Sequence, residues 1–150
     1  MTTSETTGDR LLDGVRVLDL SRVMSGPFCT AMLADLGAEV IKIEMPGGGD
    51  DSRHFGPFQD GESAYFMLLN RGKKSMTLDL KSERGREILM ATVKSSDVVI
   101  ENFRPGVAKR LGLDYESLSQ LHPGLIYASI SGFGQEGPLA DRPAYDLIVQ

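Results

Sequence analysis

Three chemically different side chains, Asn102, Phe103 and Arg104, stand together just after a short apolar run at residues 98–100. A run of this kind predicts a buried strand, and Pro105 should turn the chain after it. In an α/β fold, ligands bind outside the carboxyl ends of the strands. A cation, an amide and an aromatic ring at such an edge indicate a ligand that carries both negative charge and a flat ring.

A second candidate segment spans residues 21–27, between a predicted strand and a predicted helix. Backbone N–H groups at a helix N-terminus attract anions, and Arg22 adds a positive charge. A plain strand-to-helix turn explains the same residues equally well. Because the segment lacks Gly-x-Gly-x-x-Gly, a nicotinamide-dependent dehydrogenase loses its main support in the sequence.

Three further segments have the composition of ligand-binding loops. Residues 70–75 place three cations before a predicted strand, which suits either a phosphorylated ligand or a solvated basic turn. Residues 132–138 contain three glycines, which let the backbone approach a ligand or form a tight surface turn. Residues 47–51 begin with three glycines, but a flexible linker is favoured because the Gly-Lys-Ser/Thr ending of a P-loop is missing.

Few other side chains suggest catalysis or metal binding. Tyr145 and Asp146 could be acid–base or hydrogen-bonding groups, although such a pair is more often structural. Cys29 is the only cysteine, so no intramolecular disulfide can form, and a reducing, cytoplasmic compartment is expected. Its place in an apolar helical pattern predicts a buried, inert thiol. With His54 and His122 it makes no metal-ligand spacing, so no metal is expected.

The composition is that of a globular protein without a basic face. The 150 residues carry a net charge of -5 and are 41% hydrophobic. The interspersed charges argue against binding to nucleic acid or a membrane surface, and no apolar run is long enough to span a membrane. Residues 1–10 are predicted to be a disordered tail. Residues 144–150 look like the opening of a helix or strand with no stop signal, which is typical of a truncated sequence.

Strand and helix patterns alternate along the chain. Strands are predicted at residues 15–20, 39–44, 75–80, 98–100 and 125–131. Helices are predicted at residues 28–36, 63–70, 83–94 and 113–121, with a shorter one around Lys109 and Arg110. Ser25 and Asp114 are the expected helix caps, and residues 45–61 are expected to be a long irregular loop. The alternation predicts an α/β fold, a doubly wound open parallel sheet with helices on both faces.

Several of these motifs, in this order, resemble the N-terminal part of family III CoA-transferases, the group of formyl-CoA transferase, carnitine CoA-transferase and α-methylacyl-CoA racemase. The resemblance is carried by residues 12–21, 26–27, 36–44, 70–80, 101–106, 131–134 and 143–146. It covers residues 11–150 and implies a Rossmann-like large domain that is incomplete here. The small domain and the return of the chain to the large domain would follow Gln150.

The resemblance implies an acyl-CoA substrate and assigns side chains to it. Contacts with CoA are implied for Arg22, Val23, Ser25, Leu78, Leu80, Asn102, Phe103 and Arg110. CoA carries phosphates, which suit Arg110 and helix N-termini, and a flat adenine, which suits apolar side chains. Arg104 matches an arginine near the acyl thioester in racemase relatives, whereas Tyr145 and Asp146 match a pair that lines the reaction site.

Two departures from the family bear on the substrate. Met24 stands where formyl-CoA transferase has a glutamine that helps bind its small polar acyl group, so a different acyl substrate is expected. Tyr145 stands where the racemase branch has a proton-exchanging histidine. Because tyrosine has an ordinary pKa near 10, it is a poor proton shuttle, and a transferase is favoured over a racemase. A non-catalytic CoA-binding module is the alternative from a different class.

The family's mechanism implies a covalent aspartyl intermediate, with acyl-CoA and a carboxylic acid as substrates and no separate cofactor. The nucleophilic aspartate belongs to a later Gly-Asp motif that would follow Gln150, so Asp146 is not assigned that role. The resemblance also implies an interlocked homodimer.

Overall fold

The computed structural model describes residues 10–145 and residue 148. The predicted disordered tail therefore lies, except for Arg10, outside the described residues, and so does Asp146. Within the described residues the strands are β1 (Arg16–Asp19), β2 (Glu39–Glu44), β3 (Phe58–Gln59), β4 (Glu62–Ser63), β5 (Lys74–Thr77), β6 (Val98–Glu101) and β7 (Ile126–Ser129). The helices are α1 (Ser25–Asp35), α2 (Ala64–Asn70), α3 (Glu83–Val93), α4 (Val107–Leu111) and α5 (Tyr115–Leu121).

The main sheet has the order β5-β2-β1-β6-β7, and all of its neighbouring strands are parallel. The chain therefore works outward from β1 to one edge and then returns to build the other side. This order is that of a doubly wound fold, and it places the topological switch point between β1 and β6. The predicted open parallel sheet is confirmed.

Alternate side chains of the strands pack into two cores, one on each face of the sheet. Leu18 of β1 belongs to the core that includes Leu89 of α3 and Leu118 of α5. Its neighbour Val17 faces the opposite core, with Val40 of β2 and Ala34 of α1. Helices thus cover both faces, so apolar side chains on both sides of these strands are buried.

The start of α1 lies one residue before the prediction. The helix begins at Ser25, the expected cap, and Met24 holds the cap position instead, without a side-chain bond. The apolar run begins only at residue 28 because Ser25, Gly26 and Pro27 carry no large apolar side chain. The predicted cap Asp114 is confirmed, since its carboxylate accepts a hydrogen bond from the N–H of Ser117 at 3.1 Å.

Residues 45–61 are more ordered than the predicted irregular loop. They contain a 3-10 turn, Asp51–His54, and part of the antiparallel hairpin of β3 and β4. Asp50 starts the turn by accepting a hydrogen bond from the N–H of Ser52 at 2.9 Å. A short polar side chain that binds its own backbone two residues on does not show up in hydrophobic periodicity, so the pattern missed this turn.

The helices of the described residues are all too short or too polar to cross a membrane.

Candidate functional site

The switch point of the sheet joins two of the predicted ligand segments. Asn102 follows β6, and its amide holds the backbone of Arg22, which follows β1. The amide oxygen accepts a hydrogen bond from the N–H of Arg22 at 2.8 Å, and the amide nitrogen donates one to the carbonyl oxygen of Arg22 at 2.8 Å. Parallel strands end at the same edge of a sheet, so residues 80 positions apart become neighbours there.

The segment between β1 and α1 presents an arginine and a helix N-terminus to solvent. The side chains of Arg22, Met24 and Ser25 are exposed, and the Arg22 guanidinium lies 3.8 Å from the exposed carboxylate of Asp51. The first turn of α1 has neither a side-chain cap nor an acidic residue. Unsatisfied N–H groups at a helix N-terminus, together with an arginine, attract an anion such as a phosphate.

Val23 adopts an uncommon backbone conformation within this segment. Its φ of 68° lies in the left-handed region, where a β-branched residue is strained by about 1–3 kcal/mol. Its N–H points to the carboxylate of Asp50, with distances of 3.1 and 3.3 Å to the two oxygens. The strained residue is thus held by a group from another loop.

Buried ion pairs lie directly under the segment. Asp19 and Lys73 are 3.0 Å apart, with side chains 0% and 2% exposed. Burial lowers the pKa of Lys73, and this effect outweighs the attraction of Asp19. Asp19 also accepts hydrogen bonds from the hydroxyls of Ser21 and Thr30. Lys73 was one of the three cations noted in residues 70–75, and it proves to be structural rather than a free contact for a ligand.

A second buried pair joins β2 to the following loop. The Lys42 ammonium lies 2.8 Å from the carboxylate of Asp50 and donates a hydrogen bond to the carbonyl oxygen of Ser21 at 2.9 Å. Sequence reasoning missed both residues. The available signal was Lys42 itself, a lysine inside a strand that should be buried on both faces. A buried charge requires a partner, so this lysine could have predicted a buried carboxylate nearby.

Arg53 fixes the same loop from its other side. Its guanidinium binds both oxygens of the Glu44 carboxylate, each at 2.7 Å, and lies 3.7 Å from the centre of the Phe66 ring. Burial would raise the pKa of Glu44, but hydrogen bonds from Arg53, Ser75 and the N–H of Asp50 outweigh it and lower the pKa to about 2. The loop that approaches Val23 is therefore tied down at neutral pH.

The residues after β6 form the other side of the edge. Glu101 is 2% exposed, and its carboxylate accepts a hydrogen bond from the N–H of Phe103 at 2.7 Å. The Phe103 ring is half-buried against the core below α5, and Arg104 is exposed. One face of the aromatic ring is therefore partly supported by protein.

Arg110 folds back over the turn at the start of α4. A Cβ atom at Gly106 would lie 3.3 Å from a terminal nitrogen of its guanidinium, and Gly106 has a φ of 76°. The glycine therefore allows both the left-handed turn and the close approach of the arginine. Arg110 remains exposed and can meet an anion.

Leu78 and Leu80 follow β5, which ends at Thr77 rather than at residue 80 as predicted. Leu78 is 8% exposed and is part of the core, whereas Leu80 is half-buried against it. The N–H of Leu78 donates to the carbonyl oxygen of Glu44 at 2.9 Å, so backbone hydrogen bonding to β2 continues one residue beyond the end of β5. Leu78 has little side-chain surface left for a ligand.

Tyr145 is held near the predicted glycine-rich loop by close backbone packing. A Cβ atom at Gly132 would lie 2.0 Å from the Cβ atom of Ala144, so glycine is required there. The Tyr145 side chain is 72% exposed. The role of Tyr145 at a reaction site stays a prediction, and so does that of Asp146.

Cys29 is half-buried against the core on the α1 face rather than fully buried as predicted.

Known proteins are similar to this chain in sequence. An acetyl-CoA:oxalate CoA-transferase of Acetobacter aceti is 57% identical over 138 residues, which are 92% of this chain and 36% of that protein. A succinyl-CoA:glutarate CoA-transferase of Mus musculus is 50% identical, over 91% of this chain and 32% of that protein. The chain thus spans about a third of the length of these relatives.

Solved structures agree with the sequence comparison. The crystal structure of a CAIB/BAIF family protein from Brucella suis superposes with a TM-score of 0.88 at 48% identity, over 94% of this chain and 38% of that one. The sequence profile of CoA-transferase family III matches residues 12–150. The chain therefore belongs to CoA-transferase family III.

Proposed function

We propose that the complete protein carrying this chain is a CoA-transferase, which moves CoA from an acyl-CoA donor to a carboxylic acid. The observation that carries this proposal is the direct joining of Arg22 to Asn102 across the switch point of the sheet. The resemblance to the family implies CoA contacts for both segments. The relatives named for oxalate and glutarate favour a small dicarboxylic acid as one substrate.

The exposed groups at this edge suit the parts of CoA. Arg22, Arg110 and the uncapped N-terminus of α1 supply positive charge for the phosphates. The half-buried Phe103 supplies an apolar ring for the adenine. Arg104 and Met24 are exposed and are proposed to contact the acyl end. The thioether of Met24 in place of an amide favours an acyl group other than formyl.

The proposed chemistry uses an aspartate in the part of the protein that follows Gln150. Its carboxylate attacks the donor thioester, which releases CoA thiolate and leaves a mixed anhydride. The thiolate attacks the aspartyl carbonyl and releases the donor acid, leaving an aspartyl-CoA thioester. The acceptor carboxylate attacks that thioester, which releases CoA thiolate and leaves a second mixed anhydride between the aspartate and the acceptor. The thiolate attacks the carbonyl of the acceptor, which forms the new acyl-CoA and restores the aspartate. The covalent route thus divides one difficult exchange into easier steps.

Mass spectrometry of the complete protein tests the covalent step. Incubation with an acyl-CoA should place a CoA-derived adduct on an aspartate beyond residue 150. Turnover with an adduct on another residue, or with no adduct after rapid quenching, would contradict the proposed nucleophile.

An exchange assay tests the reaction class. The complete protein is expected to transfer CoA from succinyl-CoA to at least one acid in a panel that includes oxalate and glutarate. Proton exchange at the α-carbon of a 2-methylacyl-CoA without CoA transfer would instead favour a racemase. It would contradict the expectation that Tyr145, as a poor proton shuttle, does not support racemisation. CoA binding without either activity would favour a non-catalytic module.

Calorimetry tests the binding site. Arg110→Ala and Phe103→Ala should each weaken CoA binding by about tenfold, because each removes a charge-assisted or stacking contact worth about 1.4 kcal/mol. Arg84→Ala is the matched control, since Arg84 is an exposed arginine that pairs with Glu87 on α3. Unchanged affinity in both site variants would count against this edge.

The complete protein is also proposed to be a homodimer. Sedimentation at several concentrations checks it, and a monomer with full transferase activity would contradict it.

A further inference from the structure

Side chains from remote segments hold the backbone of three successive residues after β1. The carbonyl oxygen of Ser21 accepts a hydrogen bond from Lys42 at 2.9 Å. The N–H and carbonyl of Arg22 both bind the amide of Asn102. The N–H of Val23 donates to the carboxylate of Asp50. This segment, residues 21–23, is therefore shaped by contacts from outside rather than by its own sequence.

Val23 requires such restraint. A valine at a φ of 68° is strained, whereas a glycine would adopt the same conformation freely. Strain of this kind persists only where the surrounding structure enforces it. The group that meets the N–H of Val23 is the Asp50 carboxylate, so Asp50 is the direct restraint.

Asp50 and Lys42 act as one buried unit. Their side chains are 0% and 1% exposed, and the charged atoms are 2.8 Å apart. Removing either partner would leave the other charge buried without its counterion, which is costly. Burial would raise the pKa of Asp50, but the Lys42 ammonium and the hydrogen bonds from Ser52 outweigh it and keep the carboxylate ionised. The N–H of Val23 therefore meets a full negative charge.

We propose that Lys42 and Asp50 are positioning residues for CoA binding. They hold Val23 in the left-handed conformation, and this sets the direction of Arg22 and of the free N–H groups at the start of α1. Neither side chain reaches the surface, so both act through residues 21–23 rather than by touching the ligand. The inference rests on the proposed function, because it names the support of the same CoA site.

The test uses variants of the complete protein and calorimetry with CoA as the ligand. Asp50→Ala should weaken CoA binding by about tenfold, since it removes the acceptor for the N–H of Val23 and releases strain of that order in free energy. Because this variant leaves the Lys42 ammonium unpaired, the double variant Lys42→Met with Asp50→Ala is measured beside it. The double variant has no lone buried charge, and it should bind CoA at least fivefold more weakly than the unmodified protein.

Val93→Ala is the control for lost stability. Val93 is a fully buried core residue of α3 and makes no described contact with residues 21–23. It should lower stability to urea because it leaves a cavity, while the dissociation constant for CoA stays within about twofold. A merely structural role for Lys42 and Asp50 would make the two sets of variants behave alike.

Val23→Gly supplies the decisive comparison. Added to the double variant, it should recover most of the lost affinity, because glycine needs no restraint to adopt this backbone conformation. Failure of glycine to recover any affinity would overturn the inference.

The outcomes separate the two proposals. Unchanged CoA affinity in Asp50→Ala and in the double variant, with binding by the unmodified protein, would overturn the positioning role alone. Failure of the unmodified protein to bind CoA would overturn the proposed function and the positioning role with it.

Discussion

The two halves of the carboxyl edge of the main sheet are built in different ways. The half formed by β1, β2 and β5 carries three ion pairs with buried carboxylates: Asp19–Lys73, Asp50–Lys42 and Glu44–Arg53. The half formed by β6 and β7 has the buried Glu101, for which the described residues provide no ion pair. Beside it, the buried hydroxyl of Tyr127 has no hydrogen-bond partner within residues 10–145, and burial, together with the nearby Glu101 carboxylate, raises the pKa of Tyr127.

This difference indicates that the first half is organised before any ligand arrives. Charged groups fix its loops from below, and their contacts are specific in direction as well as in distance. The second half relies on apolar packing of Phe103 and Tyr127 against the core. Asn102 links the two halves through the backbone of Arg22. Mutations in the first half should therefore cost more stability than mutations in the second.

The largest effect is expected from breaking the pair under β1. Lys73→Met leaves Asp19 buried without its cation, and it should lower the free energy of unfolding by about 3–5 kcal/mol. Arg71→Met is the matched control. Arg71 lies two residues before Lys73 and pairs with Asp35, and the side chains of this pair are 43% and 49% exposed. It should cost at most about 1 kcal/mol. Urea unfolding of both variants measures the difference, and equal losses would remove the distinction drawn between the two kinds of ion pair.

The next effect is a dependence of stability on pH that Glu44 causes. Its pKa falls from an ordinary 4.5 to about 2 in the folded protein. Because the folded pKa is lowered, this stabilisation is complete above pH 5 and is lost as the pH falls towards 2. At about 1.4 kcal/mol per pKa unit, it amounts to about 3 kcal/mol.

Urea unfolding at several pH values checks the contribution of Glu44. The unmodified protein should lose stability between pH 5 and pH 2, while Glu44→Gln should start lower and show a shallower loss. Parallel curves for the two proteins would show that Glu44 is not the titrating group.

The same two halves show what the sequence could reveal. Strand and helix types followed from periodicity, and β2 was predicted with its exact bounds at residues 39–44. Both halves of the ligand edge were also predicted, because Arg22 and Asn102 follow apolar runs at recognisable strand ends. The rule that parallel strands end at one edge explains why their segments meet, but the strand order that makes them neighbours was not predicted.

The buried ion pairs could not be predicted from the sequence in the same way. Lys42, Asp50 and Lys73 come from separate segments, and their pairing depends on the distances between loops after folding. The left-handed Val23 was equally hidden, since valine is a residue that disfavours this conformation. Local preferences describe the elements, whereas the support of the site arises from contacts that only the tertiary fold creates.

A smaller effect is expected from the link between the halves. Asn102→Ala removes both hydrogen bonds to the backbone of Arg22 and should lower the free energy of unfolding by about 1–2 kcal/mol. Asn102→Asp retains an acceptor for the N–H but loses the donor to the carbonyl, so its cost should be intermediate. Urea unfolding and CoA calorimetry on the same samples measure both roles. If Asn102→Ala leaves the free energy of unfolding unchanged, the two halves are held together by the sheet alone.

The smallest effect is expected at Tyr127, in the second half. Its buried hydroxyl has no hydrogen-bond partner in the part of the chain that the structure describes, so Tyr127→Phe should leave stability unchanged or raise it by less than about 1 kcal/mol. Ser63→Ala is the contrasting variant, because the Ser63 hydroxyl accepts from the N–H of Phe66 at 3.0 Å and donates to the carbonyl of Phe55. That variant should lose about 1 kcal/mol. A loss at Tyr127 as large as the loss at Ser63 would show that the hydroxyl is bonded, most simply to Glu101, and that the second half has polar support of its own.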